Sequence, residues 1–254
     1  MLTVIAHRDG AGLLAAAGDP WTAGLITPDW SGTAWSVPGA AAYGTAPGPE
    51  PTEWITAVGA PDRAAALLHA VLPGLPSRPY GLTVPRGTAL DGIDGVIPED
   101  EAPYEHWELM TTAQAPASHP SEERVRMGDD ASHAELSALL TEASPGYAVR
   151  PGDPQVEVWA TIRTPEGALA AVGALQRRPG TGVAHLASIA AAPALRGQGL
   201  GAAVTGRLTR YVLEKGEAFC TLSVHSGNDA ALRLYRRLGY RTAQEFTSVE
   251  LDDF

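Results

Sequence analysis

Arg196-Gly197-Gln198-Gly199-Leu200-Gly201-Ala202 is the stretch whose residue types and spacing most directly imply chemistry. Alternating glycines let another molecule approach the backbone, and Arg196 supplies a planar fork of N–H donors that matches phosphate oxygens. The apolar run from Val183 to Ala191 precedes the loop, and Pro193 stops it because proline has no N–H to give to a sheet. Behind the loop, Leu200, Val204, Leu208 and Val212 recur at helical spacing. Strand, glycine loop and helix in that order make an anion site. The first-turn N–H groups have no partner within the helix, and the helix dipole adds positive potential there. A rival reading is a dinucleotide oxidoreductase, since Gly197-x-Gly199-x-x-Ala202 satisfies a relaxed fingerprint. Against it, His225 follows Val224 where a ribose-binding carboxylate would stand, and too little chain remains for further βαβ units.

Arg196-x-x-Gly199-x-Gly201 resembles the acetyl-CoA pyrophosphate loop of the GNAT superfamily of N-acetyltransferases. Downstream, Asn228-x-x-Ala231-x-x-Leu234-Tyr235-x-x-Leu238-Gly239-Tyr240 resembles that superfamily's second motif, in the right order and with a helix and a strand between. The resemblance implies an α/β (α+β) fold with a mixed central sheet flanked by helices. In that fold the strand before the loop and the strand after its helix splay apart to admit the pantetheine arm of acetyl-CoA. By position, the backbone of Ile189, Ala190 and Ala191 would pair with that arm. Arg196, Gly197, Gln198, Gly199, Leu200, Gly201 and Ala202 would hold the pyrophosphate, and Asn228, a helix cap by residue type, would also touch the arm.

The resemblance further implies acetyl (acyl) transfer from acetyl-CoA, as cosubstrate, to a primary amine by direct attack in a ternary complex. The acceptor would be a small amine or a peptide amino terminus. Tyr235 matches the tyrosine that protonates the departing thiolate, and a phenol of ordinary pKa, about 10, carries its proton at neutral pH. The amine must also lose a proton. His185, on the splayed strand, and His225, just after its partner, are the candidate bases; Val183 stands near the family's usual strand glutamate. Arg233, Arg236 and Arg237 form either a solvated basic face or a contact for the 3′-phosphate. An inactive CoA-binding or regulatory module is the main alternative to an enzyme.

The net charge is -11 over 254 residues. It is concentrated in residues 1–120, where 4 basic side chains face 13 acidic ones. Nucleic acid is excluded as an expected partner, because a phosphate backbone calls for a basic face. The single cysteine, Cys220, sits in an alternating strand pattern and reads as a buried inert thiol, which excludes an internal disulfide and a cysteine metal cluster. No leader peptide or membrane run is legible, so the expectation is a cytoplasmic protein with no metal, and a homodimer is compatible with it.

These residues must be positioned by elements that the pattern also predicts. Gln114–Ser121 reads as a linker dividing a divergent domain, 1–119, from a catalytic domain, 120–254. In the first, Ala11–Ala17 reads as a short helix, Trp21–Pro49 carries no clear pattern, and Trp54–Val58, Tyr80–Val84 and Tyr104–Thr111 read as strands. A helix from Pro61 is expected to bury Ala65, Leu68, Val71 and Leu72. This order loosely echoes the second half of a GNAT domain and suggests a degenerate copy in tandem. Trp54, Trp107 and Glu108 read as core in preference to an acceptor pocket. In the second domain, Glu123–Met127 alternates as a strand, and Ser132 with Glu135 forms a capping box ahead of Leu136, Leu139 and Leu140. Strands at Val156–Ile162, Ala168–Leu175, Phe219–Val224 and Arg241–Leu251 complete the reading.

Overall fold

The computed structural model describes residues 2–17, 25–45, 54–128, 130–146, 148–178 and 182–252. Its strands are β1 (Ile5–Asp9), β2 (Ser31–Val37), β3 (Ala40–Thr45), β4 (Trp54–Gly59), β5 (Gly81–Pro85) and β6 (Glu105–Thr112) in the first half. The second half holds β7 (Arg126–Met127), β8 (Val156–Arg163), β9 (Leu169–Arg177), β10 (Ala184–Ala191), β11 (Cys220–His225) and β12 (Arg241–Glu250). Helices α1 (Gly10–Ala17), α2 (Pro61–Val71), α3 (His133–Ala143), α4 (Leu200–Glu214) and α5 (Asp229–Arg237) lie between them.

All twelve strands join one sheet in the order β1-β2-β3-β4-β5-β12-β6-β11-β10-β9-β8-β7. That order contains a repeat. In the first half β1 to β4 are antiparallel neighbours, β4 is parallel to β5, and β5 is antiparallel to β12. In the second half β7 to β10 are antiparallel neighbours, β10 is parallel to β11, and β11 is antiparallel to β6. Each half thus closes with the other's last strand. The exchanged pair β6 and β12 run antiparallel from Arg241–Thr111 to Ser248–Glu105, sewing the halves together. The echo therefore begins at β1 rather than near residue 50, because the unpatterned segment contains β2 and β3. Among the described residues the parallel pairs are β4–β5 and β10–β11 alone, which is not the doubly wound sheet of a dinucleotide oxidoreductase.

The helices bury the faces that their spacing dictates, with two corrections. In α4 the stripe Leu200, Val204, Leu208 and Val212 is buried, and at the far end Thr209 hydrogen-bonds Tyr240 across 2.7 Å in the same interior. Each such aliphatic side chain contributes about 1.5–3 kcal/mol. The Ser132–Glu135 capping box forms, and Leu136, Leu139 and Leu140 are buried behind it. In α2 the buried set is Ala64, Leu67, Leu68 and Val71; Leu72, just past the helix, packs half-buried on the same core, while Ala65 lies one position off the buried face. The expected strand at Glu123–Met127 shrinks to Arg126–Met127. Upstream of it, Pro120 starts a 3-10 turn, Pro120–Arg124, that His119 caps. No helix among the described residues is long and apolar enough to cross a membrane.

Gly173 in β9 faces α4 closely enough that an added Cβ would lie 2.7 Å from Val204 Cγ1 and 3.1 Å from Leu208 Cδ1. Gly173→Ala should therefore lower unfolding free energy by about 1–3 kcal/mol in urea titrations. Wild-type stability would mean that α4 does not press on the sheet there.

Candidate active site

β10 and β11 share only two residue pairs, His185 with Thr221 and Leu186 with Leu222, and then part. The cause lies in β10. Its register against β9 slips between Ala187 and Ala190, and Ser188 takes φ +50°, a conformation that costs a non-glycine residue of order 1–3 kcal/mol. Val149 holds it there: Ser188 Oγ donates to the Val149 carbonyl and accepts from the Val149 N–H, both at 3.0 Å. A bulge of this kind bends the strand and ends its pairing.

A cleft of about 480 Å³ occupies the gap, and His185, Ile189, His225, Asn228 and Tyr235 all line it. Ala190 and Ala191 finish β10, and Pro193–Leu195 forms a 3-10 turn before the glycine loop. Arg196, Gly197 and Gln198 are exposed, and Gly197 and Gly199 adopt φ +78° and +77°. No side chain caps α4, so its first-turn N–H groups are left for a ligand. Leu200 anchors that turn in the core, while Gly201 and Ala202 are half-buried behind it. Arg196 Nη2 donates to the Ala143 carbonyl at the end of α3 across 2.8 Å, using one of its five donors. The loop also has a floor. A Cβ on Gly199 would lie 2.4 Å from His119 Nε2, so only glycine fits over that ring.

The matching opening in the first half is closed by the chain itself. The Gly59 N–H donates to Gln244 Oε1 from β12 across 3.4 Å. The Ala60 N–H, at the start of α2, donates to the Gly39 carbonyl at 2.9 Å, and Pro61 has no N–H to offer. Asp62 adds a carboxylate to that first turn. Of the donors that would greet a phosphate there, the N-cap N–H is taken, the next is missing, and a carboxylate stands in the same turn.

Electrostatics sort the side chains around the cleft. Burial pushes the Tyr235 phenol up to about 12, so it stays protonated throughout the neutral range. His185 is 5% exposed, and burial first, then the nearby Arg178 guanidinium, hold its imidazole well below the usual 6.5. Its tautomer follows from its partners. Thr221 Oγ1 donates its one proton to the Ala184 carbonyl, 2.8 Å, so it must accept from His185 Nδ1–H at 2.9 Å. His185 Nε2 is left with a lone pair. His225 is exposed at the end of β11, and Asn228 Oδ1 caps α5 by accepting from the Ala231 N–H at 3.1 Å. Cys220 is fully buried, with its thiol pushed up to about 12 by burial, as an inert thiol should be.

Further side chains that no local sequence signal marks reach the cleft, among them Gln176 and Arg178 at the end of β9 and Glu105 at the start of β6. Trp107 also lines it, stacked on Phe246 with ring centroids 4.6 Å apart, so this tryptophan packs on the core and forms a wall of the cleft at once. Trp54 instead lines a separate hollow of about 530 Å³ with Tyr80 and Tyr104. Glu108 is buried and accepts from Thr242 Oγ1 and Arg236 Nη2, which engages one arginine of the α5 cluster; Arg233 and Arg237 are exposed.

The model of the acetyltransferase (GNAT) family matches residues 129–240. No curated protein matches the chain in sequence. Among solved structures, the chain is similar to a GNAT-family protein from Novosphingobium aromaticivorans DSM 12444 at 20% identity, covering 95% of each chain with a TM-score of 0.52. A GCN5-related N-acetyltransferase from Sphaerobacter thermophilus is 16% identical over 98% of this chain and 96% of that one, TM-score 0.52. A GNAT-family acetyltransferase from Colwellia psychrerythraea is 13% identical over 98% of this chain and 100% of its own, TM-score 0.51. Identities this low speak to the fold alone, and over nearly the whole chain that fold is the GNAT fold.

The neutral state of His185 has a stability signature. The unfolded imidazole binds a proton near pH 6.5, whereas the folded one does so only at a much lower pH. Its contribution is therefore complete above about pH 6.5 and is lost as pH falls below it, at up to about 1.4 kcal/mol per pH unit. Urea unfolding between pH 7 and 5 should show this decline, and His185→Gln should flatten it by about one proton. An undiminished slope in the variant would assign the decline elsewhere.

Proposed function

We propose, from the premise that residues 129–240 are a GNAT acetyltransferase domain, that this protein moves an acetyl group from acetyl-CoA to a small primary amine by direct attack. The observation that carries the reading is an uncapped helix N-terminus behind an exposed, left-handed glycine loop, leading into a cleft between two diverging parallel strands. The pyrophosphate would rest on the N–H groups of Gly199 to Ala202, with Gly197 and Gln198 beside it and Arg196 adding a charged donor. The pantetheine arm would run along Ile189, Ala190 and Ala191, where β10 has lost its neighbour, and past Asn228.

The amine nitrogen forms a C–N bond to the thioester carbon, the C–S bond breaks, and the electron pair leaves on sulfur. The proton lost by the amine passes to water, with His185 Nε2 and His225 as the nearby imidazoles. A depressed pKa makes His185 a weak base, so its service is to orient the amine by accepting a hydrogen bond, with water carrying the proton away. Tyr235 faces the converse problem. A thiol titrates near about 8.5, so a phenol at about 12 does not surrender its proton outright. It steadies the departing thiolate by hydrogen bonding, and the sulfur is protonated once it is free. The same reading divides the chain into domains at 1–119 and 120–254, the first lending β6 and one wall of the acceptor side.

Calorimetry with acetyl-CoA, followed by thiol-release assays over a panel of amines, tests the reading. Tyr235→Phe should reduce kcat by about 100-fold, with the acetyl-CoA Kd changed less than threefold; turnover close to wild type would remove Tyr235 from the chemistry. Gly199→Ala, which drives a methyl into His119 at φ +77°, should weaken acetyl-CoA binding at least tenfold. Wild-type affinity in that variant would argue that the loop does not hold the coenzyme.

A further inference from the structure

One wall of the cleft is built where the end of β9 meets the start of β10. Gln176 lines it at 7% exposure, yet its Oε1 has no hydrogen-bond partner among the described residues. An amide oxygen taken out of water and left unanswered destabilises the fold, so its place at a cleft calls for a donor that arrives from outside. Gln176 pairs directly across the sheet with His185, whose Nδ1–H is committed to Thr221 and whose Nε2 keeps its lone pair. Cross-strand partners project from the same face of a sheet. The wall thus presents two neutral acceptors side by side.

The place belongs to the acceptor's end of the cleft. His185 precedes the bulge at Ser188, whereas Ile189 to Ala191 follow it and lead on to the glycine loop. A strand rises about 3.3 Å per residue, so His185 lies roughly 13 Å of chain upstream of Ile189. Two acceptors that each sit about 3 Å from one tetrahedral nitrogen stand about 5 Å apart, close to the spacing at which cross-strand neighbours leave the sheet. A neutral primary amine brings two N–H donors and one lone pair. With Gln176 Oε1 and His185 Nε2 receiving the hydrogens, the lone pair points off the wall into the cleft, where the thioester carbon must lie for attack. A secondary amine has one N–H and an alcohol one O–H, so either leaves a buried acceptor unanswered. The burial and nearby charge that hold His185 neutral act on an amine at the same place, keeping its lone pair free of a proton.

We propose that Gln176 orients the acceptor nitrogen, its Oε1 working beside His185 Nε2, and that this pair selects an unsubstituted amino group over secondary amines and hydroxyls. The assignment rests on the acyltransferase reading above and adds to it a substrate-binding residue that lies outside both sequence motifs.

The test is a thiol-release assay with acetyl-CoA and the full chain, using amines matched in size that differ in their N–H count. Ethylamine is set against dimethylamine, propylamine against N-methylethylamine, and every other amine that is turned over against its N-methyl derivative. Secondary alkylamines are intrinsically at least as nucleophilic as primary ones, so a preference for the primary isomer comes from the site. That preference should be about tenfold or more in kcat/KM. Gln176→Met, similar in length but without the amide oxygen, should cut it by roughly tenfold while acetyl-CoA affinity stays close to wild type. A merely structural role would slow both isomers alike and leave their ratio unmoved. Equal turnover of the two isomers by the wild-type protein, or a ratio that survives in Gln176→Met, overturns this proposal and leaves the acyltransferase reading standing. Acetyl-CoA binding without turnover of any amine overturns both. The wild-type isomer pairs decide the matter even if Gln176→Met fails to fold.

Discussion

β10 and β11 touch along two residue pairs and no more, and the rest of the active region depends on that brief contact. A longer ladder would seal the sheet, and α4 would merely pack on a closed surface. The ladder is short because Ser188 is forced to positive φ and clamped to Val149 on both its donor and acceptor sides. Strain in β10 is thus converted into an opening. Leu186 sits at the last point where the strands still meet, and His185, the residue with the unused lone pair, stands one position before it.

The first half shows how little change removes such a site. It has the same succession of pairings and a helix in the same place, yet the leading backbone groups that would receive a ligand receive the protein instead or are absent. Gln244 answers Gly59, Gly39 answers Ala60, and proline stands at the first helical position. The repeat preserves the architecture because architecture rests on apolar alternation and strand pairing. It loses the chemistry because chemistry rests on a few donors left without partners.

What could be read from the sequence follows the same division. Helix α4, its glycine loop, the Ser132–Glu135 box and the Asn228 cap are set by neighbours within a turn or two, and all are where spacing puts them. β2 and β3 were illegible because alanine, serine and glycine make up more than half of them, and they become strands only through partners elsewhere in the sheet. Alternation at Glu123–Met127 misleads, since Pro120 and the His119 cap commit most of it to a 3-10 turn. Gln176 and Arg178 look like an ordinary polar strand end. Their place in the cleft is fixed by His185 across the sheet and by Trp107 from the other half, relations that no local window contains.

The exchange of β6 and β12 has a consequence for how the molecule comes into being. Translation delivers β12 last among the strands, yet it is β12 that covers the edge of β5. While the ribosome is still at work on the second half, the first exposes a row of unanswered backbone groups and the apolar side of β5. β6, meanwhile, is ready before β11, the strand it will border, has been made. Neither half is a complete folding unit during synthesis, and the nascent chain passes through an obligatory open-edged stage that ends only when β12 inserts between β5 and β6.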